Sequence, residues 1–373
     1  MPKSKKHTLK QSRQSRKKKH QKERKILKTK KEKTEKKQKS KKIISYKPTI
    51  EVTNKGGVKE VIVNKLFSDE HMATKEGEYY DESHYRKYRG KNGIITSDCD
   101  CYYINDEGKK VLLLRFRKNV LPKKLTKIGM DNLKKAAMKT HDNRGAAAGV
   151  LDLKKLPKYA QVPKLQVGTY KFRMKGYYSK YTGKFVNNSL GNLSQSNIIG
   201  YYDKPDRNLG INAPKCRLTA FNAQQFDKWL KVLPLIQAID RQYKKLVPGP
   251  YKKQYQRAHQ TEFAIKDTSF STVTINYNWR TALHKDAGDF MDGFGNLVVL
   301  EQGRYKGGCT GFPQFGVAVD VRDGDFLAMD VHEWHCNTKI HPIDKDYARV
   351  SIVAYLRERM LEQCKGVKKV EGN

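Results

Sequence analysis

The sequence predicts an α+β chain built on a double-stranded β-helix, a jelly roll of the cupin kind, with flanking helices and a disordered basic N-terminal tail. Three observations lead there. From residue 270 onward, short stretches alternate apolar and polar residues and are parted by Gly and Asp turns. Ahead of them, two stretches carry apolar residues at helical spacing. At the front, residues 1–42 hold 21 Lys or Arg against three Glu and no aromatic residue. Such a segment cannot bury enough apolar surface to offset the entropy of ordering it. The expected divisions are a tail over 1–44, a mixed α/β part over 45–250, a jelly-roll core over 251–362 and a short C-terminal tail over 363–373.

Taken in order, CYYINDEGKKVLLLRFRKNVLP (101–122) reads as two strands around an Asn-Asp-Glu-Gly turn. MDNLKKAAMKTH (130–141) has helical spacing. NRGAAAG (143–149) is a run of small residues where backbone can pack closely. In FNAQQFDKWLKVLPLIQAIDRQYKKLVP (221–248), Phe226, Trp229, Leu230, Leu233, Ile236 and Ile239 recur helically. Asn222 is the expected cap there, and Pro234 the expected kink or boundary. STVTINYNW alternates with Val273, Ile275, Tyr277 and Trp279 on one face; FGVAVDV follows, then a turn at Arg322-Asp323-Gly324-Asp325. ARVSIVAYLR (348–357) is the last strand, with Val350, Ile352, Ala354 and Leu356 on one side.

Bulk composition narrows the function classes. No apolar run reaches the roughly 18 residues of a membrane span, and the N-terminus is too polar for a secretory signal. Six scattered cysteines with no C-x-x-C pair argue against a disulfide framework or a zinc ribbon, and for a reduced, intracellular protein. Cys99-x-Cys101 binds metal only if partners come from elsewhere. The net formal charge is +39, of which +21 lies outside residues 1–42. A basic tail on a basic folded part favours a polyanionic partner, most simply nucleic acid.

The chemistry gathers late in the chain. In TALHKDAGDF, His284 and Asp286 stand two apart, so on a strand they share a face. HEWHCN offers a third ligand, His332 or His335. Two imidazoles and one carboxylate with open positions suit Fe(II) in an oxygenase. Beyond them, Arg349 and Ser351 lie on the strand face opposite Val350 and Ile352. A buried guanidinium needs a partner, and its fork with a neighbouring hydroxyl is a good receptor for a carboxylate.

This order resembles the 2-oxoglutarate/Fe(II)-dependent dioxygenases, and its wording resembles the TET/JBP branch, which oxidises the methyl group of thymine or 5-methylcytosine. The resemblance rests on TVTINYNWRTALHKDAGDFMDGFGNLVVL, GRYKGGCTGFPQFGVAVDVRDGDFLAMDVHEWHCNT and RVSIVAYLR. It continues upstream in GKKVLLLRFRKNVLP, NRGAAAG and SNIIGYYDKPDRN, and so covers about 100–360. By motif position it implies His284, Asp286 and His335 as iron ligands, the last falling ten residues after Asp325, with His332 as a bystander. It implies Arg349 as the grip on 2-oxoglutarate with Ser351 assisting, O₂ as co-substrate, and DNA as partner. Where TET enzymes read H-x-D-x-x-N, with the Asn beside the target base, this chain has Asp289 at that motif position. An ionised Asp only accepts hydrogen bonds where Asn also donates, so 5-methylcytosine specificity does not transfer. The same chemistry on a protein side chain or on RNA stays open, as does a non-catalytic nucleic-acid-binding module. GTYKFRMKGYYSKYTGKF (168–185) interleaves aromatics with Lys and Arg. It reads equally as a base-stacking surface or as a hairpin with one buried aromatic face.

Overall fold

The computed structural model describes residues 50–155, 158–161, 171–204 and 215–368. The expected tail over 1–44 and the basic cluster within it lie outside these. One sheet of eleven strands dominates. Its main strands are β1 (Ile50–Lys55), β2 (Val58–Val63), β3 (Cys99–Ile104), β4 (Lys110–Arg117), β5 (Ser194–Tyr202), β6 (Thr272–Tyr277), β7 (Gly295–Gln302), β8 (Phe326–Met329) and β9 (Ala348–Tyr355). Their spatial order is β1-β2-β3-β4-β8-β7-β9-β6-β5, antiparallel throughout except for the β2–β3 pair. Strands from before and after residue 250 therefore share one sheet. A four-stranded sheet, built around Thr310–Phe312 and Val317–Val319, forms the other half of the jelly roll.

Alternation along the strands assigns the two faces of the large sheet. Val273, Ile275, Val298, Leu300, Phe326, Ala328, Val350, Ile352 and Ala354 join one apolar cluster with the helices. Leu297, Val299, Leu327 and Met329 point the other way and pack with Phe312, Val317 and Val319 of the small sheet. The helices on that side are α1 (Lys123–Ala137), α2 (Ala220–Gln224), α3 (Phe226–Leu246) and α4 (Pro248–Ala258). In α1, Thr126, Gly129, Met130, Leu133 and Ala137 are buried, a single stripe at helical spacing. Gly129 marks the crossing with α3, where a Cβ would meet the Leu235 side chain at 2.6 Å. No helix among the described residues is long and apolar enough to cross a membrane.

Several local expectations are corrected. Asn222 is no cap but lies inside α2, where its buried Oδ1 accepts hydrogen bonds from the Gly200 N–H and the Thr219 hydroxyl; Thr219 occupies the cap position. Pro234 sits on the exposed side within α3 and is not a boundary. β6 stops at Tyr277, and Asn278, at φ +45°, turns Trp279 away from the Val273 face into a cavity. Cys216 and Cys364 form a disulfide across 148 residues of sequence. Spacing along the chain carries no trace of such a pairing. Cys99 and Cys101 are buried thiols of β3 among apolar neighbours.

Candidate active site

His284 and Asp286 lie on the irregular segment that follows β6 rather than on a regular strand. Their placement comes from backbone pairing all the same. His284 and His335 form an isolated antiparallel bridge, and the Asp286 N–H donates to the Val331 carbonyl at 3.0 Å. The loop 145–148 is pinned alongside, since the Ala282 N–H donates to the Ala147 carbonyl at 2.9 Å.

The two imidazole rings stand 4.3 Å apart between centroids. His284 Nδ1 lies 2.8 Å from the Ala282 carbonyl and His335 Nδ1 2.9 Å from the Glu333 carbonyl. A carbonyl can only accept, so each Nδ1 carries the proton and each Nε2 presents a lone pair. Those Nε2 atoms approach the Asp286 carboxylate at 3.5 Å and 3.7 Å. Burial, with the second imidazole beside it, brings the His335 pKa down to about 4 and keeps the ring neutral. The three ligand atoms lie within 4.8 Å of one another, the one such grouping of His, Cys, Asp and Glu among the described residues. Neutral imidazoles and a carboxylate converging this way fit a divalent iron. His332 is not part of the group: its Nε2 is held 3.2 Å from the Phe290 carbonyl.

A cavity of about 290 Å³ opens on this cluster. Its wall includes Thr274 and Asn276 of β6, Leu297 of β7, Met329 of β8, and Ser351, Val353 and Tyr355 of β9. These are the strand positions facing away from the helices. Ser351 accepts a hydrogen bond from Asn276 Nδ2 at 3.3 Å.

Arg349 is not on the wall. It lies two residues earlier on the same face of β9, 2% exposed, with Nη2 donating to the Gly308 carbonyl at 3.1 Å. Its Nε is buried without a hydrogen-bond partner, and no carboxylate among the described residues pairs with it. Gly307 and Gly308, at φ +73° and +71°, make room: a Cβ on Gly308 would stand 3.2 Å from that Nε. A buried cation with an unused N–H fits a carboxylate ligand.

Asp289 also lines the cavity, its backbone bridged to Arg357. Burial, and then the Asp286 charge, push its carboxyl well above the usual range against the pull of Arg357. Two residues at this cavity escape sequence reasoning. Arg357 is held by Asp203 at 2.6 Å. Arg144 arrives from the small-residue loop with its Nε buried and unpaired. The run of alanines after Arg144 is the signal that a loop can approach this closely.

Residues 197–358 match the Tet_JBP model, the oxygenase domain of the 2OGFeDO superfamily. Over 192 residues the chain is 34% identical to the bifunctional helicase and thymine dioxygenase JBP2 of Trypanosoma cruzi (strain CL Brener), covering 50% of this chain and 17% of that protein. Over 222 residues it is 32% identical to the thymine dioxygenase JBP1 of Trypanosoma brucei brucei, covering 59% and 25%. The chain thus spans a quarter or less of the length of these relatives. A solved structure of NgTET1 in complex with 5mC DNA aligns with 80% of this chain and 93% of its own, at 13% identity and a TM-score of 0.41. Over residues 197–358 this chain is thus similar to the Tet_JBP oxygenase domains.

Proposed function

We propose that the chain is a 2-oxoglutarate/Fe(II)-dependent dioxygenase that hydroxylates the methyl group of a pyrimidine base, thymine or 5-methylcytosine, in DNA. In this reading 251–362 is the catalytic core and 45–250 the part packed on it, and the protein works in a DNA-containing compartment. The observation that carries the proposal is the convergence of His284, Asp286 and His335 inside a domain about a third identical to thymine dioxygenases.

Iron(II), with 2-oxoglutarate and O₂, supplies the oxidising power for attack on an unactivated C–H bond. The protein's residues supply the rest. His284, Asp286 and His335 would hold the metal through Nε2, a carboxylate oxygen and Nε2. Arg349 would offer its unused N–H to the far carboxylate of 2-oxoglutarate, and Ser351, oriented by Asn276, would add a hydroxyl. Arg144, Arg357 and Asp289 ring the space left for the base. A base in a duplex has to rotate out of the stack to reach a cluster this buried.

Incubation with Fe(II), ascorbate and 2-oxoglutarate, followed by nucleoside mass spectrometry, tests this. Duplexes with thymine alone, duplexes with 5-methylcytosine, and RNA are the substrates. The expected product is a hydroxymethylated pyrimidine in DNA. Oxidation confined to RNA or to protein overturns the proposal.

A further inference from the structure

The segment 171–186 carries features of both its readings. Met174 and Tyr177 are buried against Leu151 and Ala160. Tyr178, Tyr181 and Phe185 are not: they are 41%, 82% and 52% exposed. Tyr178 and Phe185 stack edge to face at 5.4 Å between centroids. Lys175, Lys180 and Lys184 are exposed around them, and no carboxylate among the described residues pairs with any of the three. The stretch contains no Asp or Glu.

The turn that carries Tyr181 is tied down. Ser179 Oγ accepts from the N–H groups of Tyr181 and Thr182, at 3.3 and 3.4 Å, and the Ser179 carbonyl accepts from Gly183 at 2.8 Å. Gly183, at φ +63°, permits that closure. The neighbouring chain is sewn to the loop that lines the cavity. The Asn192 amide donates to the carbonyls of Ala148 and Val150, both at 2.9 Å, and the Leu151 N–H donates to the Lys171 carbonyl at 2.8 Å. Three exposed aromatic rings thus share a hairpin with three exposed lysines, and the chain on either side of that hairpin is tied to the segment that continues the cavity-lining loop.

We propose that this hairpin is a stacking platform for unpaired bases of the DNA strand beside the target nucleotide, with Tyr181 the principal stacking residue. The proposal rests on the reading that the substrate is a base in DNA. An exposed ring gains by covering a base face, and any base has one. The lysines meet the phosphates that accompany those bases. Paired bases inside a duplex keep their faces covered, so the platform favours single strands, or duplex opened around a flipped nucleotide.

Fluorescence anisotropy of the full chain with a labelled single-stranded oligonucleotide and the matching duplex tests this, across a salt series. Tyr181→Ala should weaken single-strand binding roughly five- to a hundredfold, more than duplex binding, with an unchanged salt slope. Tyr181→Phe should keep the affinity, which assigns the loss to the ring, and an unchanged melting temperature of Tyr181→Ala excludes a folding defect. Changing Lys175, Lys180 and Lys184 to Glu should instead lower the salt slope by about two. Single-strand binding unaltered by Tyr181→Ala and by the Tyr178→Ala/Phe185→Ala pair overturns the platform. So does equal competition by an acidic peptide, which makes the patch a general anion site. Should no DNA base be oxidised while Tyr181→Ala still loses single strands, the catalytic reading falls and the platform stands.

Discussion

His284 and His335 exchange both backbone hydrogen bonds, each N–H donating to the other's carbonyl at 3.0 Å. Two of the three candidate metal ligands are therefore fixed by main chain alone. Removing either side chain leaves that bridge in place, which separates loss of metal from loss of fold.

His284→Ala and Asp286→Ala should each reduce turnover to background and bring bound iron well below one equivalent by elemental analysis. Their metal-free melting temperatures should stay within a few degrees of the metal-free parent. Full activity in either variant removes the iron assignment.

Metal should stabilise the fold. Mn(II), a redox-stable substitute, at a hundred times its dissociation constant should add about 2.7 kcal/mol. Chelation should reverse the gain, and His335→Ala should abolish it. A melting curve blind to Mn(II) in the parent protein contradicts the site.

Arg349→Lys keeps the charge and loses the fork. The KM for 2-oxoglutarate should rise by roughly tenfold or more, the effect of about 1.4 kcal/mol in a charge-assisted bond. Bound iron should not change. An unaltered KM places the co-substrate's carboxylate elsewhere.

Asp289 stands at the cavity, where it can meet the base. Asp289→Ala should lower kcat/KM on DNA by about tenfold, the loss of one buried hydrogen bond. Substrate-independent succinate formation should persist. If the preference between thymine and 5-methylcytosine and the rate on each both stay as they were, Asp289 does not touch the base.

Asp240 carries a pH signature remote from the site. Burial raises its carboxyl above the ordinary range, although the Ser269 N–H, the Ser269 hydroxyl and the Tyr251 hydroxyl all donate to it. With the folded pKa above the unfolded one, its stabilising contribution is full below the unfolded value and is lost as pH rises through the folded value. Asp240→Asn should therefore destabilise more at pH 4 than at pH 8 in denaturant titrations. The opposite order contradicts the burial argument.

The candidate metal cluster was legible as an order of motifs, an H-x-D pair, a turn, a histidine and a strand, while the choice of His335 over His332 came from the family resemblance. The alternation of β9 also identified Arg349 and Ser351 as sharing a face, which the structure bears out. The irregular backbone under His284 was not legible, since that segment borrows its pairing from Val331 and His335 far along the chain. Arg144 was missed for the same reason: nothing near position 144 says what it will face. Pro234 was not legible as an interior position, because the sequence does not reveal which side of a helix is exposed enough to tolerate a freed carbonyl. The Cys216–Cys364 bond has no local signature at all.

β9 serves two masters by parity: Val350, Ile352 and Ala354 build the interior, while Ser351, Val353 and Tyr355 face the cavity, with Arg349 buried just beyond it on the same side. A single codon inserted or deleted within it would swap the two sets at once. This strand can therefore drift in composition but not in length. Among natural variants of the gene, indels should collect in turns such as that at Gly303 and spare β9, which then serves as a ruler for aligning distant homologues.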